Sequence, residues 1–169
     1  KLGGVPRAFI QNCVVGGKCM TANNKIYHIK EDIADYDGVS LYPSAMNELQ
    51  GILKGLPSVI QEKDLNEQFL NNQDGYFVKV LCENNAEIPL DFPLLSCKNE
   101  DGIRDFTNDT KGNFYYLDKT GYEDAKHFQG LKFKVICGYY YNEGRNYNLK
   151  IAINLLFNGN PKSLLGSLP

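Results

Sequence analysis

Apolar residues recur at alternating and helical spacings that divide the chain into short elements. Residues 25–29 (K-I-Y-H-I) and 33–36 are rich in β-branched and aromatic types and predict two short strands. The second strand runs into the turn signal Asp37-Gly38. Pro43 then opens a helix reaching Leu49 or Leu53, since proline suits a first helical turn where its missing N–H is not needed. This reading puts Asp37 at the end of a strand, with a turn and a helix N-terminus just behind it.

Further along, residues 55–73 form a connecting stretch in which D-L-N-E-Q-F-L predicts a short amphipathic helix. Residues 76–82 (Y-F-V-K-V-L-C) give the clearest strand of the middle region. Pro89 and Pro93 make 88–95 an edge strand or an extended loop. The polar, glycine-containing 99–112 reads as an exposed loop, and 114–117 as a further strand. Thr120-x-x-Glu123 has the form of a capping box, and Gly130 is placed to stop the helix it starts. Residues 131–141 (L-K-F-K-V-I-C-G-Y-Y-Y) begin as a half-buried strand. Leu149, Ala152, Ile153, Leu156 and Phe157 then recur at helical spacing over 148–157. Helices and strands in this order predict an α+β fold, and no internal repeat is present.

A length of 169 residues fits one domain with a core of ordinary size. A net charge of -2 argues against a surface that grips nucleic acid all over, while leaving room for a local basic groove. The five cysteines lack C-x-x-C spacing and the two histidines lie far apart, which disfavours zinc and suits free thiols in a reducing, intracellular setting. No apolar run has the length of a membrane span. The chain opens on Lys1 without a methionine, and residues 159–169 form an irregular tail, as a truncated or spliced reading frame would leave.

The chemistry concentrates in residues 37–44, D-G-V-S-L-Y-P-S. A carboxylate beside a helix N-terminus suits a metal–nucleotide ligand. Asp37 can offer oxygen to a hard cation such as magnesium, and the backbone N–H groups of residues 40–42 can receive an anion. An Asp-Gly turn followed by a core tyrosine would carry the same letters without any ligand. The whole wording decides between the two, because it resembles motif A of family B DNA polymerases, D-x-x-S-L-Y-P-S, at all six specified positions. Chance would produce that match on the order of a few times per million chains of this size.

The resemblance implies that Asp37 is one of two palm aspartates holding two magnesium ions, and that Gly38 lends a backbone carbonyl to the metal on the incoming triphosphate. It implies that Ser40 and Leu41 touch that triphosphate, largely through backbone N–H groups. Tyr42 would lie under the sugar of the incoming deoxynucleotide and reject ribose. The implied reaction is attack of a primer 3′-hydroxyl on the α-phosphate, with pyrophosphate leaving and two metals stabilising the entering and departing oxygens.

Flanking segments narrow the resemblance to the protein-primed, organellar and viral branch. V-V-G-G-K at 14–18 stands where such polymerases have a Tyr-x-Gly-Gly element on template DNA; Gly16 and Gly17 match, and Val14 replaces the tyrosine. A Gly-Gly pair also reads as a simple turn. Lys132 and Lys134 in G-L-K-F-K alternate along one strand, which suits phosphate contact and a solvated basic face equally. Arg145, in E-G-R-N, is expected toward the nucleotide side. The implied organisation is the start of a palm at 1–54, an inserted subdomain at 55–129 that meets DNA and a terminal priming protein, and a return toward palm and fingers at 130–158. A K-x-x-x-N-S-x-Y-G helix and a D-T-D motif bearing the second metal aspartate do not occur in the sequence. The expectation is a polymerase piece inactive by itself, or else a polymerase-derived module that binds DNA or a partner protein.

Overall fold

The computed structural model describes residues 2–49, 51–98 and 104–159. In chain order its elements begin with α1 (Gly4–Cys13), α2 (Leu41–Glu48), β1 (Ile52–Leu53), β2 (Ser58–Val59), α3 (Glu67–Asn71) and β3 (Gly75–Cys82). They continue with β4 (Ser96–Lys98), β5 (Arg104–Phe106), β6 (Phe114–Asp118), α4 (Lys119–Gln129), β7 (Phe133–Tyr141), β8 (Arg145–Asn146) and α5 (Asn148–Gly159). The chain is α+β, and among the described residues every strand pair is antiparallel. It divides into two compact units, one of residues 1–28 with 56–142, the other of 29–55 with 143–169.

The first unit is built on a four-stranded sheet in the order β2-β7-β3-β6. Alternation along β3 sends Tyr76, Val78, Val80 and Cys82 to one face, where they meet Tyr115 and Leu117 of β6 and Tyr122 and Ala125 of α4. Leu70 of α3, Leu95, Leu131 and Val135 complete this core. Burying one such aliphatic side chain stabilises the fold by about 1.5–3 kcal/mol. On the opposite face α1 lies across the sheet, with the Phe9 ring edge-on to Tyr116 and Tyr139 at 5.2 Å each. Gly138 is required where β7 passes β3, because a Cβ there would sit 2.9 Å from Val78 Cγ1 and collide with the Phe77 carbonyl.

A buried amide network ties the two-proline stretch to the end of α4. Gln129 is fully buried; its Oε1 accepts from the Leu94 N–H at 2.9 Å and its Nε2 donates to Asn108 Oδ1 at 2.9 Å. Asn108 in turn donates to the Leu90 carbonyl at 2.9 Å and accepts from the Leu90 N–H at 3.1 Å. Residues 88–95 therefore form an extended loop with no ladder of their own, one of the two forms the prolines allowed.

Several local expectations change. The strands predicted at 25–29 and 33–36 do not form, because a strand needs a partner for its backbone and, among the described residues, no strand pairs with either segment. Ile26, Ile33 and Tyr36 are 87%, 75% and 90% exposed. The helix after Asp37 starts at Leu41, two residues before Pro43, so the proline occupies the third position of the first turn, where its missing donor still costs nothing. The cap of α4 is Asp118, whose carboxylate accepts from the Gly121 N–H at 2.8 Å; Thr120 is already inside the helix. Gly130 ends α4 in the left-handed conformation, φ 64°, as expected. The supposed loop at 99–112 contributes β5 to a hairpin with β4; residues 99–103 lie outside the described residues, as does the tail beyond Gly159.

Candidate functional site

The predicted site residues are divided between the two units. The second unit carries the motif-A segment. Asp37 and Gly38 belong to an irregular, exposed stretch, so Asp37 is at no strand end, and a tight turn at Val39 and Ser40 leads into α2. Ser40 holds the left-handed conformation, φ 54°, and its carbonyl accepts the first helical bond from the Ser44 N–H at 3.0 Å. The Leu41 N–H folds back on the Gly38 carbonyl at 3.3 Å. Ser40 makes no side-chain cap, and a helix start without one leaves backbone donors for a ligand, the property an anion site needs. Leu41 is 62% and Tyr42 78% exposed.

Within this unit α2 packs on α5. The short β1–β8 pair closes behind it through Ile52 opposite Asn146 and Leu53 opposite Arg145. Gly51, at φ 88°, lets the chain pass Tyr147, whose ring a Cβ would meet at 3.1 Å. Arg145 is engaged in this pair and donates to the Gly51 carbonyl at 3.3 Å.

The first unit carries the remaining predicted residues. Gly16 and Gly17 are exposed, and a Cβ at either would touch nothing within 4 Å. The protein's own packing does not demand glycine there. Lys18 is committed elsewhere: its Nζ donates to the Pro93 carbonyl at 2.5 Å and lies 4.8 Å from the Phe106 ring centre, with burial lowering its pKa. Lys132 precedes β7 and pairs with Glu87 at 2.6 Å, a contact that raises the Lys132 pKa. Lys134 is exposed on β7, opposite Leu81 of β3.

A cavity of about 790 Å³ runs along β6, the outer strand of the sheet, bounded by Asn12–Val15 at the end of α1 and by Ser96, Cys97 and Arg104 of the β4–β5 hairpin. Burial, with the Asp118 carboxylate as the second cause, pushes the Cys13 thiol there up to about 12. Cys97 donates to the Tyr115 hydroxyl at 3.4 Å. The sequence reading passed over this side of the sheet, although the alternation in 76–82 already set Phe77, Lys79 and Leu81 on one face.

A family model, DNA polymerase type B, organellar and viral, matches residues 7–150. The chain belongs to that family. Comparison with curated proteins and with solved structures finds no match. The matched span takes in the Gly16-Gly17 pair, the whole of 37–44 and the start of α5.

Polymerases of this type generally use magnesium. The Asp37 carboxylate and the Gly38 carbonyl are hard oxygen donors of the right kind. Among the described residues, however, no three His, Cys, Asp or Glu side chains come together to hold a metal ion. A two-magnesium centre does not fit these residues alone.

Proposed function

We propose that this chain is the part of a replicative, protein-primed DNA polymerase that carries the first palm carboxylate, and that these residues do not extend a primer by themselves. One observation carries the reading: the D-x-x-S-L-Y-P-S segment, inside the family match, folds as an exposed turn into an uncapped helix start. In the assembled enzyme Asp37 and the Gly38 carbonyl would serve as metal ligands, beside a second carboxylate supplied from outside these residues. Ser40 and Leu41 would hold the triphosphate of the incoming deoxynucleotide, the Leu41 N–H exchanging the Gly38 carbonyl for a phosphate oxygen. Tyr42, exposed at the first turn, would form the floor under its sugar and exclude a 2′-hydroxyl.

The open backbone at Gly16 and Gly17 supports close approach of a template strand, since no described residue lies within 4 Å of a Cβ placed at either. Residues 55–129 would meet DNA and the terminal priming protein, and Lys134 would meet phosphate. Five unpaired thiols support an intracellular, reducing setting. The self-contained core of the first unit also favours a second reading, a polymerase-derived module that only binds.

Primer extension with magnesium separates the two. The chain alone is expected to be silent, and a version carrying the second palm carboxylate is expected to extend and to lose that activity on Asp37→Ala. A carboxylate-complete version that stays silent, with Asp37 intact, would leave the binding module as the surviving reading.

A further inference from the structure

The sheet face opposite the core carries Phe77, Lys79 and Leu81 from β3, Phe114 and Tyr116 from β6, and Lys134, Cys137 and Tyr139 from β7, as the strand registers require. Helix α1 covers only one end of it, through Phe9 on Tyr116 and Tyr139. The other end is open. There Phe114 is 54% exposed on β6, and Lys134 and Cys137 are exposed on β7, across β3 from it. Lys79 Nζ stands 4.9 Å from the Phe114 ring centre and 5.6 Å from that of Tyr116, held by cation–π attraction between the two rings.

We propose that this open half-face binds single-stranded DNA, with a base stacked on Phe114 and backbone phosphates met by Lys79 and Lys134. An exposed aromatic ring flanked by ammonium groups on a rigid sheet is the combination that single strands select. Every base has a π-face, and the lysines answer the phosphates without reading sequence. Charge agrees, because the strand residues of the open end place no carboxylate on this face. Asp118 stands at the covered end, engaged as the cap of α4, and Glu83 lies one step past the end of β3.

The face is also continuous with the Gly-Gly element. The cavity along β6 is lined by Phe114 and Tyr116 at one side and by Val14 and Val15, which lead into Gly16, at the other. A strand approaching Gly16 and Gly17 thus has a path onto Phe114. The choice of DNA over RNA rests on the polymerase reading; the stacking site rests on the geometry.

Fluorescence anisotropy of a labelled oligo-dT with the whole chain tests this. Binding is expected, weakened about tenfold by Phe114→Ala and kept by Phe114→Trp, because stacking tolerates any flat ring. Lys79→Ala is expected to weaken binding and to lower the salt slope by about 0.7, the contribution of one phosphate contact. Phe128→Ala, removing an exposed ring on α4, is expected to change nothing. As a second readout, saturating oligonucleotide is expected to slow alkylation of Cys137, which faces Lys79 in the register.

No binding, preference for duplex or for RNA, equal effects of Phe114→Ala and Phe128→Ala, or unchanged Cys137 alkylation would each overturn the proposal. Asp37→Ala keeps the two readings apart. It should leave oligonucleotide binding intact, so an inert Phe114→Ala beside an Asp37-dependent extension sinks the platform and spares the polymerase.

Discussion

The first unit buries Leu70, Val78, Val80 and Ala125 completely beneath one face of its sheet, whereas the only hydrophobic residue buried in the described part of the second unit is Ile153, at 8% exposure. The second unit instead displays Ile29, Ile33, Tyr36, Val39, Leu41 and Tyr42 to solvent. The carboxylate on which the proposed chemistry turns therefore sits in the half with the least cohesion of its own. The half that merely touches DNA in the proposed function is the half that holds itself together. Sequence resemblance is strongest where packing is weakest, so motif strength and local stability are separate quantities here.

Core truncation should break this contrast most sharply. Leu70→Ala is expected to cost about 2–5 kcal/mol in a denaturant melt, and Leu155→Ala, on the exposed side of α5, under about 0.5 kcal/mol. Equal losses at the two positions would show the second unit to be cored after all.

Glycines offer the next test. Gly138→Ala must push Val78 and the Phe77 carbonyl aside and should cost about 1–3 kcal/mol. Gly16→Ala, in open space, should leave the melt unchanged while weakening template binding.

Capping gives a smaller difference. Asp118→Ala is expected to remove about 1 kcal/mol through the lost bond to Gly121, and Thr120→Ala to remain within about 0.5 kcal/mol.

The smallest effect is a pH dependence. The Lys126 ammonium hydrogen-bonded to Glu67 holds that carboxyl below its ordinary value, with the Tyr122 hydroxyl assisting. A depressed folded-state pKa adds stability above the unfolded value and loses it as pH falls through the folded one. Acid titration of the melting point should therefore show a loss there that Glu67→Gln abolishes. The pair is half exposed and its share should stay under about 1 kcal/mol.

Much of the first unit was legible in the sequence because its signals are local. The strand-like run 76–82 gave β3, the Thr120-x-x-Glu123 signal and Gly130 gave α4, and Asn66 inside the D-L-N-E-Q-F-L stretch caps α3, accepting from the Phe69 N–H at 2.9 Å. Failures came where the outcome depends on partners remote in sequence. K-I-Y-H-I has strand composition, yet composition cannot furnish a neighbouring strand. The two-residue pairs β1–β8 and β2–β7 carry too few letters to show a period. Thr120 lost the cap to Asp118 because β6 runs straight into the helix and puts its last residue at the helix start.

At the site, the wording of 37–44 was enough to point at Asp37 and Tyr42. The left-handed turn at Ser40 was not visible, since glycine or asparagine would ordinarily announce it. The sheet face proposed to bind DNA was missed for a different reason. Lys79 and Phe114 are far apart in the chain, and only the β3–β6 register makes them neighbours.

The clasp of Gln129 and Asn108 on the two-proline stretch changes what counts as a loop. By appearance 88–95 is the natural place to splice in a tag or to let a protease cut. Its main chain is instead wired into the interior through Leu90 and Leu94, so a cut or insertion there would expose amides with nothing to bond. The stretch free of such ties is 29–36, just ahead of the Asp37 turn, which bears strand-like letters. A builder choosing insertion points by predicted secondary structure would choose the wrong one of the two.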